Sequence, residues 1–300
     1  MNMKRLALIA TLLALFTFGT ASAQLLWKVS GNGLAKPSYL FGTCHIATVK
    51  MTDSIPGFND ALNACDAVYG EIEKADIANA QQAMMAAIMA PADSTLSKVI
   101  DPATLAKADS LFRAATQGMV SISQLETLKP AYVSTQLALI MLMESFPGFN
   151  PMEQIDFAIQ GKATQLGKEL GGFETTQFQL NILYGKPIKE QAESLTRTLA
   201  KLDSAKQSGI ELANAYKAQD LNGVYEAIMK EQRESDEPEW KKQRNIDELI
   251  YNRNAVWAKK LQELMPAKSI LVVVGAGHLP GEKGLIDLLQ KAGYSVQPVK

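Results

Sequence analysis

Histidine and cysteine are the scarce residues of this chain, with two of each among 300. Two cysteines cannot build a disulfide scaffold or a four-thiolate zinc site. Neither sign of charge is in excess, since 30 Lys and Arg face 31 Asp and Glu for a net charge of −1. A nucleic-acid partner is excluded on that ground, because it would need a basic face to neutralise its phosphates. No phosphate loop and no Gly-x-Ser-x-Gly elbow occur, and Gly275-Ala276-Gly277 lacks the third glycine of a dinucleotide fingerprint. Internal repeats and low-complexity tracts are absent as well. What remains is ordinary: 47% hydrophobic and 20% charged residues, a balance that excludes a disordered chain.

The one long apolar stretch lies at the start. Met1 to Ala23 reads as a secretory signal, with Lys4 and Arg5, an apolar Leu6 to Phe18, and a small-x-small cleavage site at Ala21-Ser22-Ala23. The stretch is far short of the ~20 residues of a membrane span. Pro130 to Met143 lacks charge but is only one buried helix long. The expectation is an exported protein, periplasmic or extracellular, with no stable span after cleavage. Export permits a Cys44–Cys65 disulfide; two separate, mostly buried thiols are the plainer expectation.

Strand patterns gather at the two ends of the chain. Leu25 to Ser30 and Tyr39 to Phe41 flank a Gly31-Asn32-Gly33 turn and predict a hairpin. Thr52 to Ala64 has helical spacing at Ile55, Phe58 and Leu62. Ala67 to Glu73 is a third strand and Glu169 to Phe173 a short fourth. Ser269 to Val274 is a continuous β-branched run, the mark of a strand buried on both faces. Tyr294 to Val299 closes the chain after a helix at Gly284 to Ala292, in the order of a crossover for parallel pairing. Between these lies a long helical pattern broken at Pro91, Pro130, Pro147, Pro151 and Pro187. The fold class is α/β: a mixed central sheet built from both chain ends, with a helical insertion at about 75–265, all in one domain at 24–300. Met84, Met85, Met89, Met141, Met143 and Met152 fall in the insertion, as plastic core packing or as an adaptable groove. The charged run 231–244 reads as a solvated face.

Both histidines sit in one pattern. His45 ends Gly42-Thr43-Cys44-His45 and His278 ends Gly275-Ala276-Gly277-His278, and each motif follows a strand. Ligands of open α/β sheets bind beyond the carboxyl ends of strands. Gly42, Thr43, Gly275 and Gly277 would let the backbone approach such a ligand. Two imidazoles hold a metal poorly without a third ligand, often a carboxylate. Glu71, in an otherwise apolar strand, is the candidate, because a carboxylate there needs a cation or a metal. Glu174 follows the short strand, as a base or as a helix-capping acid. Asp156 is a weaker candidate on the preceding helix. Arg253 and Asn254 lie on the helix before the valine-rich strand, where Arg253 could neutralise a carboxylate or hold an oxyanion.

These residues resemble the TraB/GumN family, related to the Tiki-type proteases and more distantly to ChaN-like haem-binding proteins. The likeness runs from about Leu26 to Val299. It rests on Ser38 to His45, Glu71, Phe173 to Gln179, Arg253-Asn254, and Gly275 to Gly281 with Gly284-Leu285. Cys44 stands where a small or aliphatic residue is expected. The resemblance implies a divalent cation, manganese, cobalt or zinc, on His45, His278 and Glu71. It also implies metal-dependent hydrolysis of a peptide or protein. For that chemistry Glu174 is the candidate general base, Arg253 would steady the oxyanion or a carboxylate ligand, and Asn254 is placed among the substrate contacts. A non-catalytic haem- or metal-binding protein is the alternative.

Overall fold

The computed structural model describes residues 24–45, 47–143 and 154–300. The expected leader and Met152 lie outside them, as do Pro147 and Pro151. Among the described residues, six strands form one mixed sheet: β1 (Leu26–Ser30), β2 (Ser38–Thr43), β3 (Ala67–Ile72), β4 (Glu169–Glu174), β5 (Ile270–Gly275) and β6 (Ser295–Pro298), in the order β4-β3-β5-β2-β1-β6. No described helix is long and apolar enough to cross a membrane.

The hairpin forms as expected, with Leu26 opposite Phe41 in an antiparallel pair. Gly31, Asn32 and Gly33 all take positive φ in its turn. β4, β3, β5 and β2 run parallel to one another. β5 lies in the middle, and Ile270, Leu271, Val272, Val273 and Val274 are all fully buried, as a strand covered on both faces requires. The last unit departs from the expected parallel pairing. β6 crosses over and bonds antiparallel to β1, with Val29 opposite Val296. β2 already holds the β5 edge that β6 would have used.

The helix expected over Thr52 to Ala64 is two pieces, a 3₁₀ segment at Val49–Ser54 and an α-helix at Phe58–Ala64. Gly57 separates them in the left-handed region at φ 68°, where an added Cβ would sit 2.7 Å from Val299. Elsewhere proline breaks the helical pattern as expected: one helix starts at Pro130 and another follows Pro187. Cys44 and Cys65 form no disulfide.

The sheet core joins Phe41, Phe58, Tyr216, Trp257 and the β5 valines. A second apolar cluster, around Leu96, Phe112, Leu137 and Leu195, sits within the helical insertion. The charged run is only partly solvated: Lys241 and Glu237 are mostly buried and pair at 2.8 Å. The methionines depart from core packing, with Met84 39%, Met85 53%, Met89 40% and Met143 39% exposed.

Leu271→Ala, at the centre of the sheet, is expected to cost about 2–5 kcal/mol in urea unfolding. Val256→Ala, at an exposed helix position, should stay within about 0.5 kcal/mol.

Candidate functional site

Strand register brings the motifs together. Thr43 at the end of β2 lies opposite Gly275 at the end of β5, and neighbouring strands are about 4.8 Å apart. On the other side of β5, β3 carries Glu71 to the same rim, where its Oε1 accepts the Gly275 N–H at 2.8 Å. Ile72 of β3 pairs with Glu174 of β4. His45, Glu71, Glu174 and His278 therefore come from the carboxyl ends of four adjacent parallel strands or the turns just beyond them. The glycines serve packing here: a Cβ on Gly275 would lie 3.3 Å from Glu71 Oε1, and one on Gly42 would lie 3.0 Å from Ala276 Cα.

Arg253 is the hub. It lies on the helix Asn252–Leu264, directly after a π-turn at Asp247–Tyr251. Its Nε donates to Glu174 Oε1 at 2.7 Å, and its Nη2 donates to Glu71 Oε2 at 2.6 Å and Glu174 Oε2 at 2.9 Å. Nη1 donates to the Leu249 carbonyl at 2.8 Å and to His278 Nε2 at 3.2 Å. All five of its N–H groups are thereby committed. Glu174 is equally full, since it also accepts from Trp257 Nε1 at 2.9 Å and Gln179 Nε2 at 3.2 Å. Gln179 donates to Glu71 Oε2 as well, at 2.9 Å. Phe173, Trp257 and His278 stack in sequence, at 5.5 Å and 4.5 Å between ring centres.

The two imidazoles are held alike. A guanidinium only donates, so His278 Nε2 must accept and its proton lies on Nδ1. Nδ1 meets Asn254 Oδ1 at 2.7 Å. The Asn254 amide in turn donates to the carbonyls of His278 at 3.1 Å and Lys283 at 2.9 Å. His45 Nδ1 meets Asp156 Oδ2 at 2.9 Å, while Asp156 Oδ1 accepts from the Thr43 hydroxyl at 2.6 Å. Each imidazole thus has Nδ1 on a side-chain oxygen, the arrangement that directs Nε2 to a second partner; for His278 that partner is Arg253.

Charge states follow from these neighbours. Asp156 raises the His45 pKa to about 9. Burial lowers that of His278 to about 4, so it is neutral near pH 7. Burial would raise Glu71, but His278, Arg253, His45 and the Gly275 N–H outweigh it and hold it at about 2. With His278 neutral near pH 7, the positive charges acting on Glu71 are the Arg253 guanidinium and the protonated His45. Arg253 is itself held above its ordinary value, because Glu174 and Glu71 outweigh its desolvation.

The expected substrate contacts have other work. Asn254 is fully buried and Thr43 is 2% exposed, and their side chains position the imidazole of His278 and the carboxylate beside His45. Gln179 and Trp257 complete the cluster; Gln179 lies in the family-like segment, whereas nothing in the sequence around Trp257 marks it. Asp156 gains the central part it was denied. Among the described residues no three His, Cys, Asp or Glu side chains converge closely enough to hold a metal.

A cavity of about 430 Å³ opens beside His45, Glu71, Asp156 and Gln179. A second, of about 860 Å³, meets Glu174 and Arg253 from the other side.

The family model described as the TraB/PrgY/gumN family matches residues 25–298. The chain belongs to that family. Its curated relatives include Metalloprotease TIKI2 of Danio rerio, 24% identical over 91% of this chain and 60% of its own length. Metalloprotease TIKI1 of Homo sapiens is 24% identical over 93% of this chain and 64% of its own. Metalloprotease TIKI homolog of Nematostella vectensis is 23% identical over 92% and 67%. The chain spans about 60% of the length of the Danio rerio protein. No solved structure gives a significant match.

Two outcomes are expected of chelator-treated protein. In an NMR titration the two imidazoles should titrate near pH 9 and pH 4, and Asp156→Asn should return the higher one toward 6.5. Folded-state values depressed from 6.5 for His278 and from 4.5 for Glu71 give stability that is lost as pH falls, first toward 4 and then toward 2. The raised value of His45 gives stability that is lost as pH climbs from 6.5 through 9. Separately, Arg253→Leu leaves two buried carboxylates without their cation and should cost about 3–5 kcal/mol in urea unfolding.

Proposed function

We propose that the protein is a metal-dependent hydrolase acting on peptide bonds, with a divalent cation held by His45, His278 and Glu71. The observation that carries this reading is the matched pair of imidazoles at one sheet rim, each with Nδ1 on a side-chain oxygen. Metal-binding histidines are oriented through their second nitrogen in this way. Glu71 adds an ionised oxygen donor, and the mixed set suits zinc, manganese or cobalt. The relatives' name, metalloprotease, supports a peptide or protein substrate. The apolar leader supports export to the periplasm or beyond as the setting.

The donor types suit a cation, but binding requires that the three side chains draw closer than they stand here, that His45 give up the proton Asp156 stabilises, and that one hydrogen bond open. His278 Nε2 accepts from Arg253 Nη1, so its lone pair becomes available only when that bond opens. When bound, a divalent cation polarises a carbonyl and lowers the pKa of a water. The protein's own residues do the rest. Asp156 and Asn254 fix the ring orientations. Arg253 keeps Glu71 ionised, which is the carboxylate-neutralising role expected of it. Glu174, expected as the base, has both oxygens filled by donors and is assigned to holding Arg253 in place. His45, with its side chain 62% exposed, is the ligand nearest to solvent and the one a substrate meets first.

Calorimetric titration of stripped protein with Zn²⁺, Mn²⁺ or Co²⁺ should give one cation per chain. His278→Ala and His45→Ala should abolish that binding. Asn254→Ala should weaken it about 10–100-fold. Metal-stimulated cleavage of a peptide library should vanish in His45→Ala. Failure of every cation to bind the wild type overturns the reading.

A further inference from the structure

The cavity beside His45 changes character along its length. His45, Glu71 and Asp156 mark one end. The helix Thr176–Tyr184 carries the wall away from them. Gln179 bonds Glu71, whereas Leu180, Leu183 and Tyr184 follow on the same helix. At 1.5 Å per residue, Leu183 lies about 6 Å further along the axis than Gln179. Opposite stand Met84 and Ile88 of the helix Gln81–Ile88, with Tyr132 of the helix Pro130–Met143. Tyr132 and Tyr184 face each other at 6.4 Å between ring centres.

We propose that this cavity is a subsite for one large apolar side chain of a peptide, of phenylalanine, leucine or methionine size, next to the bond that is cut. The inference rests on the hydrolase reading and adds its specificity. Distance supports it: the apolar wall begins about one side chain's length from the Glu71 carboxylate. Volume supports it too, since about 430 Å³ admits a large side chain and its flanking backbone. Charge supports it most. Among the described residues no lysine or arginine lines the cavity and its one imidazole, His45, is already paired with Asp156, so an acidic side chain seated among Leu180, Leu183 and Tyr184 would lose its hydration without gaining a partner. A basic side chain would have to carry its charge past the carboxylates into apolar surroundings. Met84 and Leu183 are 39% and 45% exposed at this wall, apolar surface that an incoming side chain would cover. The unbranched thioether of Met84 adapts to several shapes.

The test uses the full chain with added metal and a peptide library read by mass spectrometry. Wild-type cuts should concentrate where one fixed position beside the cleaved bond is Phe, Tyr, Leu or Met. Leu183→Lys, at a solvent-exposed position, should lower kcat/KM for those peptides at least tenfold, chiefly through KM, and shift the profile toward Asp and Glu. Ile210→Lys, on the exposed face of a helix outside the cavity, should leave the profile unchanged. Cleavage with no apolar preference, or an unaltered preference in Leu183→Lys, overturns the subsite while the hydrolase reading stands. If the wild type cuts nothing, binding separates the two claims. Dansyl-labelled Gly-Gly-Phe-Gly-Gly should then bind at least tenfold more tightly than the same peptide with Glu, and lose that margin in Leu183→Lys. Equal binding of the two peptides, or binding of dodecanoate in preference to either, overturns the proposal.

Discussion

The arrangement at the sheet rim depends on one buried guanidinium. Arg253 ties two carboxylates, an imidazole and a helix carbonyl to a single planar group, and none of its N–H groups is left over. It is the cation that sits between the two buried carboxylates. Trp257 supports the same group from its flank, with the guanidinium carbon 4.8 Å from the ring centre, and donates its own N–H to Glu174. One ring face, one imidazole nitrogen and two carboxylates thus define where the arginine can sit. A lysine in its place would keep the charge and lose the fork.

Around that hub the two imidazoles occupy contrasting settings. His278 is buried and neutral, and an amide fixes its tautomer. His45 reaches solvent and carries a proton under the influence of Asp156. Their shared feature is the nitrogen left facing the rim. Their difference gives the rim one enclosed member and one that borders the neighbouring cavity.

Much of this was legible in the sequence, for identifiable reasons. The valine-rich run announced β5 because a strand covered on both faces has no polar side. The paired Gly-x-x-His motifs, Glu71 and Arg253 stood out because each is costly or conspicuous where it lies. The likeness to TraB/GumN proteins followed from them, and the family match bears it out. What stayed hidden required knowing who touches whom. Asp156, Gln179 and Trp257 are ordinary residues on ordinary helices until the fold aims them at a histidine or a glutamate. Gly57 was missed because a helical hydrophobic spacing spans it. The pairing of β6 with β1 was missed because sequence order shows a crossover without showing which edge is already taken.

The position of β5 has a temporal consequence. β2 and β3 are made early, yet in the finished sheet they never touch, because residues 270–275 lie between them. During synthesis the first half of the chain therefore has no template on which to complete its sheet. Its rim cannot assemble until nearly all of the polypeptide has emerged. Such long-range strand insertion is slow by nature. Until its last strands arrive the chain stays without its central strand, and the rim residues stay apart.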